Sequence, residues 1–293
     1  MEHKAGFIAI IGKPNVGKST LMNRIVGEQL SVVTPKAQTT RHRIKGILTT
    51  DDFQMVFSDT PGILKPAYDL HKRMMKSVDA TILDADAAMF VVEVNERKLS
   101  EEVGLRLKNL QIPLVVVINK IDQADQLELE QRVAFWETEL NPAAIIPVSA
   151  TENFNVEAIV TTLLRFIPEA PAFFDGEDLS DRNTRFFVAE IIREKILMQY
   201  QKEVPYSCEV TIIDYKEEPT IDKIRCEIFV DRESQKAILL GHKGEAIKRL
   251  GTDARKKIEK FVGKHVFLDL TIKVKSDWRN DERSLNKFGY NED

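Results

Sequence analysis

The chain has 293 residues, 43% hydrophobic and 30% charged, with a formal net charge of −4 at pH 7 and two cysteines. Such a composition excludes a disordered or disulfide-stapled class, and the length predicts two domains. The longest apolar runs, such as LVVVI at 114–118, fall far below the ~20 residues of a membrane span, and MEHKAGFIAIIG does not read as a signal peptide, so a soluble, cytoplasmic protein is expected.

From residue 1 to 167, short apolar runs (FIAII, FQMVFSD, AAMFVVEV, LVVVIN, AIIPVSA) alternate with helical patterns of ten to fifteen residues. This alternation predicts an α/β domain with a mostly parallel sheet and helices on both faces, and places its ligand in the loops after the strands. The first loop, IIGKPNVGKST, fits Gly-x-x-x-x-Gly-Lys-[Ser/Thr]: Gly12, Lys13, Pro14, Asn15, Val16, Gly17, Lys18, Ser19, followed by Thr20. Backbone N–H groups of residues 15–18 are expected to converge on a β-phosphate, Lys18 to reach the β- and γ-phosphates, and Ser19 to ligate Mg²⁺.

DTPG follows the second apolar run: Asp59, Thr60, Pro61 and Gly62. Asp59 is expected to hold Mg²⁺ through a water, and the Gly62 N–H to sense a γ-phosphate. NKID (Asn119, Lys120, Ile121, Asp122) follows LVVVI and reads the base. The Asp122 carboxylate can accept from guanine N1–H and the 2-amino group, where adenine offers no donor, and a wrong base leaves a polar group unpaired. Lys120 would lay its stem along the base, and Asn119 would tie this loop to the phosphate loop. In VSA (Val148, Ser149, Ala150) the Ala150 N–H is expected at guanine O6. The ligand expected is GTP.

QTTRHRI, residues 38–44, lies where a first switch belongs. With the four motifs above, this Thr-Thr-Arg resembles the GTPase branch that holds the Era family and the tRNA-modifying GTPases. The resemblance implies a Ras-like fold in which Thr40 closes over Mg²⁺ and the γ-phosphate. Ile63 stands where Ras-like proteins keep a water-orienting Gln. For this branch the resemblance implies instead a K⁺ held by Asn15 against the phosphates, and a catalytic set of Asn15, Lys18, Thr40, Asp59 and Gly62.

Residues 168–184, with two prolines, a glycine and five acids that interrupt any period, read as a linker. Beyond it, from 185 to 293, the pattern is α-β-β-α-α-β, a small α+β domain. Its LLGHKGEAIKRLG carries Gly-x-x-Gly, Gly241 to Gly244, ahead of a basic helix; between Lys236 and Lys264 there are nine Lys/Arg against three Asp/Glu. Two glycines let a nucleic-acid backbone approach, with His242 and Lys243 at the tip, Lys248 and Arg249 on the helix, and Ile238, Leu239, Leu240, Ile247 and Leu250 lining a groove for unstacked bases. This half resembles a type II KH domain. A Thr-Thr-Arg GTPase followed by one such domain is the make-up of the Era family, and the resemblance covers essentially the whole chain.

Membership would imply RNA binding near the 3′ end of 16S rRNA, assistance to assembly and maturation of the 30S subunit, peripheral contact with the inner membrane, and no DNA partner. Two alternatives stay open: an RNA-binding module that holds GTP for structure only, and a tRNA-modifying GTPase, for which the cysteine and domain content is wrong. The charged tail DWRNDERSLNKFGY is similar to the family's ending, but also reads as a solvated helix. The five histidines form no metal spacing. Phe135, Trp136, Cys208 and Cys226 read as core packing.

Overall fold

The apolar runs become strands, and their burial explains why. β1 (Lys4–Ile11), β2 (Ile44–Thr49), β3 (Phe53–Asp59), β4 (Ala87–Glu93), β5 (Leu114–Asn119) and β6 (Ala144–Pro147) form one sheet in the order β2-β3-β1-β4-β5-β6. Every pairing is parallel except β2 with β3. In the computed structural model, which describes residues 3–107 and 110–291, Ala87 to Val92 of β4 are buried without alternation. A strand buried at every position needs cover on both faces. That cover comes from helices α1 (Lys18–Val26), α2 (Asp69–Leu83), α3 (Glu101–Leu107), α4 (Gln126–Leu140) and α5 (Glu157–Leu163). Trp136 of α4 is fully buried, edge-on to Phe90 at 5.6 Å between ring centroids. It is a core residue, as its helical spacing predicts.

β2 is a strand that the apolar runs do not mark; it follows the first switch. Its six residues alternate weakly, and the hairpin to β3 decides their state. The turn closes with Thr50 N–H donating to Phe53 O at 2.9 Å, and antiparallel pairing runs from Ile44–Asp59 to Thr49–Gln54.

The chain divides into two units, one of residues up to Ala67 and from His71 to Asp181, the other of Arg182 to Asn291 with Tyr68–Leu70. The expected linker is therefore corrected: residues 168–181 belong to the first unit. Ala5 N–H donates to Pro168 O at 3.1 Å, Ile47 N–H to Leu179 O at 3.0 Å, and Ser180 Oγ to Lys45 O at 2.6 Å. Gln54, fully buried, accepts at Oε1 from the N–H groups of Phe173 (2.7 Å) and Phe174 (3.0 Å) and donates from Nε2 to Phe174 O at 2.9 Å. An edge strand offers unpaired backbone groups, and this strap uses those of β2. Gln54→Leu leaves three backbone groups of the strap without partners and should cost ~2–4 kcal/mol, measured by urea unfolding, with new proteolytic cleavage within 168–181. Unchanged stability and cleavage would show that the strap is held elsewhere.

In the second unit α6 (Thr184–Gln199), β7 (Glu209–Lys216), β8 (Ile221–Val230), α7 (Glu233–Leu240), α8 (Glu245–Val262) and β9 (His265–Val274) follow the expected α-β-β-α-α-β order. The sheet runs β7-β8-β9, antiparallel then parallel. One core gathers Ile192, Ile196, Cys226, Ile228, Leu239, Leu250 and Ile258, and both cysteines are buried free thiols. Burial pushes the Cys226 thiol well above its ordinary range.

The tail is not a solvated helix. α9 (Glu282–Lys287) is short, but Trp278 and Leu285 are fully buried, Trp278 Nε1 donates to Ser207 O at 2.8 Å, and Tyr290 OH donates to Glu209 Oε2 at 2.8 Å. Its charged residues hide four buried anchors, Trp278, Leu285, Phe288 and Tyr290, whose spacing matches no single helix. Among the described residues, no helix is long and apolar enough to cross a membrane.

Candidate functional site

The loops at the carboxyl ends of β1, β3, β5 and β6 surround a cleft of about 380 Å³ in the first unit. Its walls include Pro14, Asn15, Gly17, Lys18, Ser19, Thr20, Thr40, Gly62, Asn119, Lys120 and Ala150 from the sequence motifs, together with Val32–Pro35, Gln38, Thr39 and Thr151. The glycines are required by what they approach. A Cβ on Gly12 (φ 151°) would stand 2.3 Å from Val91 O, and one on Gly17 (φ 99°) 2.2 Å from Asn119 Nδ2. Gly17 is also the N-cap of α1, with no side-chain cap, so the first N–H groups of that helix are left for an anion.

Behind the phosphate loop the polar groups are buried and close. Asp59 is fully buried; its Oδ2 accepts from Ser19 Oγ at 2.6 Å and Thr40 Oγ1 at 3.5 Å, and Ser19 Oγ lies 3.0 Å from Thr40 Oγ1. Asp59 Oδ1 has no hydrogen-bond partner. A buried carboxylate with one orphaned oxygen beside two hydroxyls is a donor set of the kind that suits a hard divalent cation, so the expected Mg²⁺ fits these residues. Burial raises the Asp59 pKa above the carboxylate range, opposed by the Lys18 charge and by hydroxyl hydrogen bonds. Burial lowers Lys18 to about 8, opposed by Asp59. Lys18 Nζ donates to Gly12 O (3.2 Å) and Lys13 O (2.9 Å), carbonyls of the loop it arches over.

The switches touch the same loop. Asn15 (φ 66°) donates from Nδ2 to Pro35 O at 3.0 Å, and Ile63 N–H donates to Gly12 O at 2.9 Å. Ile63 itself is 3% exposed, so its side chain is packing and orients no water.

At the base end, Asn119 Nδ2 donates to Val16 O at 2.9 Å, joining the two loops, and Ser149 Oγ donates to Asp122 Oδ1 at 2.5 Å. The Ala150 N–H, expected at guanine O6, donates to Asn119 Oδ1 at 3.0 Å, at the wall of the cleft. Arg24 of α1, which no motif contains, holds this loop through Ala150 O (3.2 Å) and Thr151 O (3.3 Å). Only the packing of α1 against the loop reveals it; a lone Arg on a helix gives no signal in sequence.

In the second unit, Gly241 has φ 71°, Lys243 φ 49° and Gly244 φ 80°. A Cβ on Gly241 would stand 2.6 Å from Ala246 Cβ, whereas one on Gly244 meets nothing within 4 Å. Gly241→Ala should therefore destabilise this unit by ~2–4 kcal/mol and Gly244→Ala by ~1 kcal/mol in urea unfolding; equal costs would mean the turn relaxes. His242, Lys243, Lys248 and Arg249 are all exposed. α8 turns Leu250, Ala254 and Ile258 inward, which leaves Lys248, Arg249, Arg255, Lys256 and Lys260 facing solvent. The groove list is corrected: Leu239 and Leu250 are fully buried core residues, and only Ile238, at 49% exposure, and the half-buried Leu240 and Ile247 present apolar surface.

Family models match twice, a 50S ribosome-binding GTPase over residues 7–120 and a KH domain over residues 203–279. A chloroplastic ERA-like GTPase of rice (Oryza sativa subsp. japonica) is 43% identical over 98% of this chain and 70% of its own length. The chain belongs to the Era family of GTPases. A chloroplastic ERA GTPase of maize (Zea mays) is 42% identical over 98% of this chain and 71% of its own. Two solved Era structures, each 35% identical and covering 98% of this chain and 99% of theirs, superpose on it. One is a variant of Aquifex aeolicus Era bound to GDP·AlF₄⁻, with a TM-score of 0.93; the other is Era with MgGDPNP and nucleotides 1506–1542 of 16S ribosomal RNA, at 0.92. As a member of the Era family, the protein is a GTPase with a Ras-like domain followed by a type II KH domain.

Proposed function

We propose that this protein is a GTP-hydrolysing switch whose KH domain binds 16S rRNA near its 3′ end and assists 30S assembly and maturation. The observation that carries the reading is the convergence of Ser19, Thr40 and Asp59 behind the phosphate loop, on a chain that also carries an exposed Gly-x-x-Gly turn. The solved Era complex with MgGDPNP and 16S nucleotides supports it.

In this reading the N–H groups of the phosphate loop and the start of α1 hold the phosphates, and Lys18 leaves the loop carbonyls for the β- and γ-phosphates. Mg²⁺, when bound, neutralises charge that develops on the phosphates. Ser19 and Thr40 present their hydroxyls to it and Asp59 its free oxygen through a water. Gly62 N–H meets the γ-phosphate, and Asp122, aimed by Ser149, reads guanine. Ile121, Thr60 and Pro61 shape these loops. With no polar side chain at position 63, Asn15 is left to hold K⁺ against the phosphates, where it would offset transition-state charge as an arginine finger does. Hydrolysis would release Thr40 and the loop after Asp59. A cytoplasmic setting suits this partner, and contact with the inner membrane would be peripheral.

Crosslinking to cellular RNA, with GTP turnover in K⁺ and in Na⁺, tests the reading. A peak at the 16S 3′ end and faster turnover in K⁺, lost in Asn15→Ala, are expected. Crosslinks on tRNA would favour the tRNA-modifying alternative. Absence of turnover even with RNA and K⁺ would favour GTP held for structure, and equal rates in the two salts would remove the role of Asn15.

A further inference from the structure

The carboxyl end of β4 carries two acids that belong to no motif. Glu93 is the last residue of the strand and lies in register with Asn119 of β5. Its carboxylate is ion-paired with Lys120 Nζ. Three residues on, Glu96 is paired with Lys13 Nζ at 2.5 Å. The turn between them is firm: Glu96 N–H donates to Glu93 O at 2.9 Å, and Val94 N–H to Asn119 O at 3.0 Å. One short turn thus grips a lysine of the phosphate loop and a lysine of the base loop.

We propose that Glu93 and Glu96 are positioning residues for the guanine nucleotide. Lys120 has a left-handed backbone, φ 64°, at the point where the base loop leaves β5. Its side chain has four rotatable bonds, and a base that must order them gives up affinity. Glu93 anchors the ammonium, so the methylene stem is already laid out as a wall for the base. Glu96 does the same for Lys13, whose carbonyl holds Lys18 Nζ at 2.9 Å, so the first half of the phosphate loop keeps its shape.

Both pairs are partly exposed: the side chains are 28% and 30% exposed for Lys120 and Glu93, and 31% and 10% for Lys13 and Glu96. Pairs at such exposure add little to folding stability. Their effect falls on binding instead. The inference rests on the reading that Lys120 lies along the base.

The test is a double-mutant cycle on the full chain, using dissociation of a fluorescent GDP, KM and kcat for GTP, and thermal unfolding without nucleotide. Glu93→Gln should speed GDP release and raise KM for GTP by about tenfold, with kcat at saturation changed by less than about twofold and the unfolding temperature held. Lys120→Met should weaken GDP at least as much, and Glu93→Gln added to it should cost less than about twofold more. Glu96→Gln with Lys13→Met should repeat the pattern.

Should Glu93→Gln and Glu96→Gln both leave GDP release within twofold of the unmodified protein while Lys120→Met speeds it, the inference is wrong and the reading of the base loop stands. Should Lys120→Met itself have no effect, both fall. Equal losses from Glu93→Gln with and without Lys120 would show that Glu93 acts by another route, which overturns the proposal as well.

Discussion

Gly62→Ala should lower GTP turnover at saturation by about 10²-fold or more while leaving GDP affinity within about threefold. A methyl at this position would stand 2.5 Å from Pro14 N and 2.6 Å from Pro14 Cα. Both are backbone atoms of the phosphate loop, which cannot rotate away as a side chain could. Gly62 has no positive φ among the glycines that do, so the conflict is steric and not conformational. Relief requires the loop after Asp59 to move outward, carrying its N–H away from the γ-phosphate and breaking the Ile63 N–H bond to Gly12 O. GDP has no γ-phosphate and loses little. Single-turnover hydrolysis with a GDP titration checks this, and an unchanged hydrolysis rate would show that the close approach is dispensable.

Asp122→Asn should weaken GTP by about 10³-fold or more and create affinity for xanthosine triphosphate. In the proposed reading the carboxylate accepts two donors from guanine; an amide at the same place can accept from one and must turn its NH₂ toward the other. Xanthine carries a carbonyl where guanine carries the 2-amino group, which that NH₂ can meet. Ser149 Oγ donates to Asp122 Oδ1 at 2.5 Å and would hold the amide oxygen on its own side, which leaves the NH₂ on the other. Competition between the two nucleotides for the variant checks the outcome. Retained preference for GTP would mean that Asp122 does not face the 2-amino edge.

The two parts of the molecule differ in how they could be read. Phosphate loop, DTPG and NKID are contiguous runs whose conformation is set within a few residues, so their order and spacing expose the chemistry directly. The same holds for Gly-x-x-Gly, where the positive φ of Gly241 and Gly244 suits glycine. Reading failed where a second, distant segment chooses the state. β2 is a strand because β3 pairs with it. Residues 168–181 are ordered because Gln54 accepts from the Phe173 and Phe174 N–H groups and donates to Phe174 O, and the β2 edge donates from Ile47 N–H to Leu179 O. Leu239 and Leu250 lie in the groove-forming segment but turn into the core.

By itself the sequence determined the GTPase class, the order of its motifs, the α-β-β-α-α-β second domain and its basic turn, because each depends on local backbone geometry and on chemistry carried by neighbouring residues. The tertiary structure alone decided which groups contact those motifs: Arg24 on the base loop, Ser149 on Asp122, and Glu93 and Glu96 on Lys120 and Lys13. Such pairs are set by the register of strands and the packing of helices, and an ion pair between residues 27 positions apart, as between Glu93 and Lys120, leaves no periodicity to find.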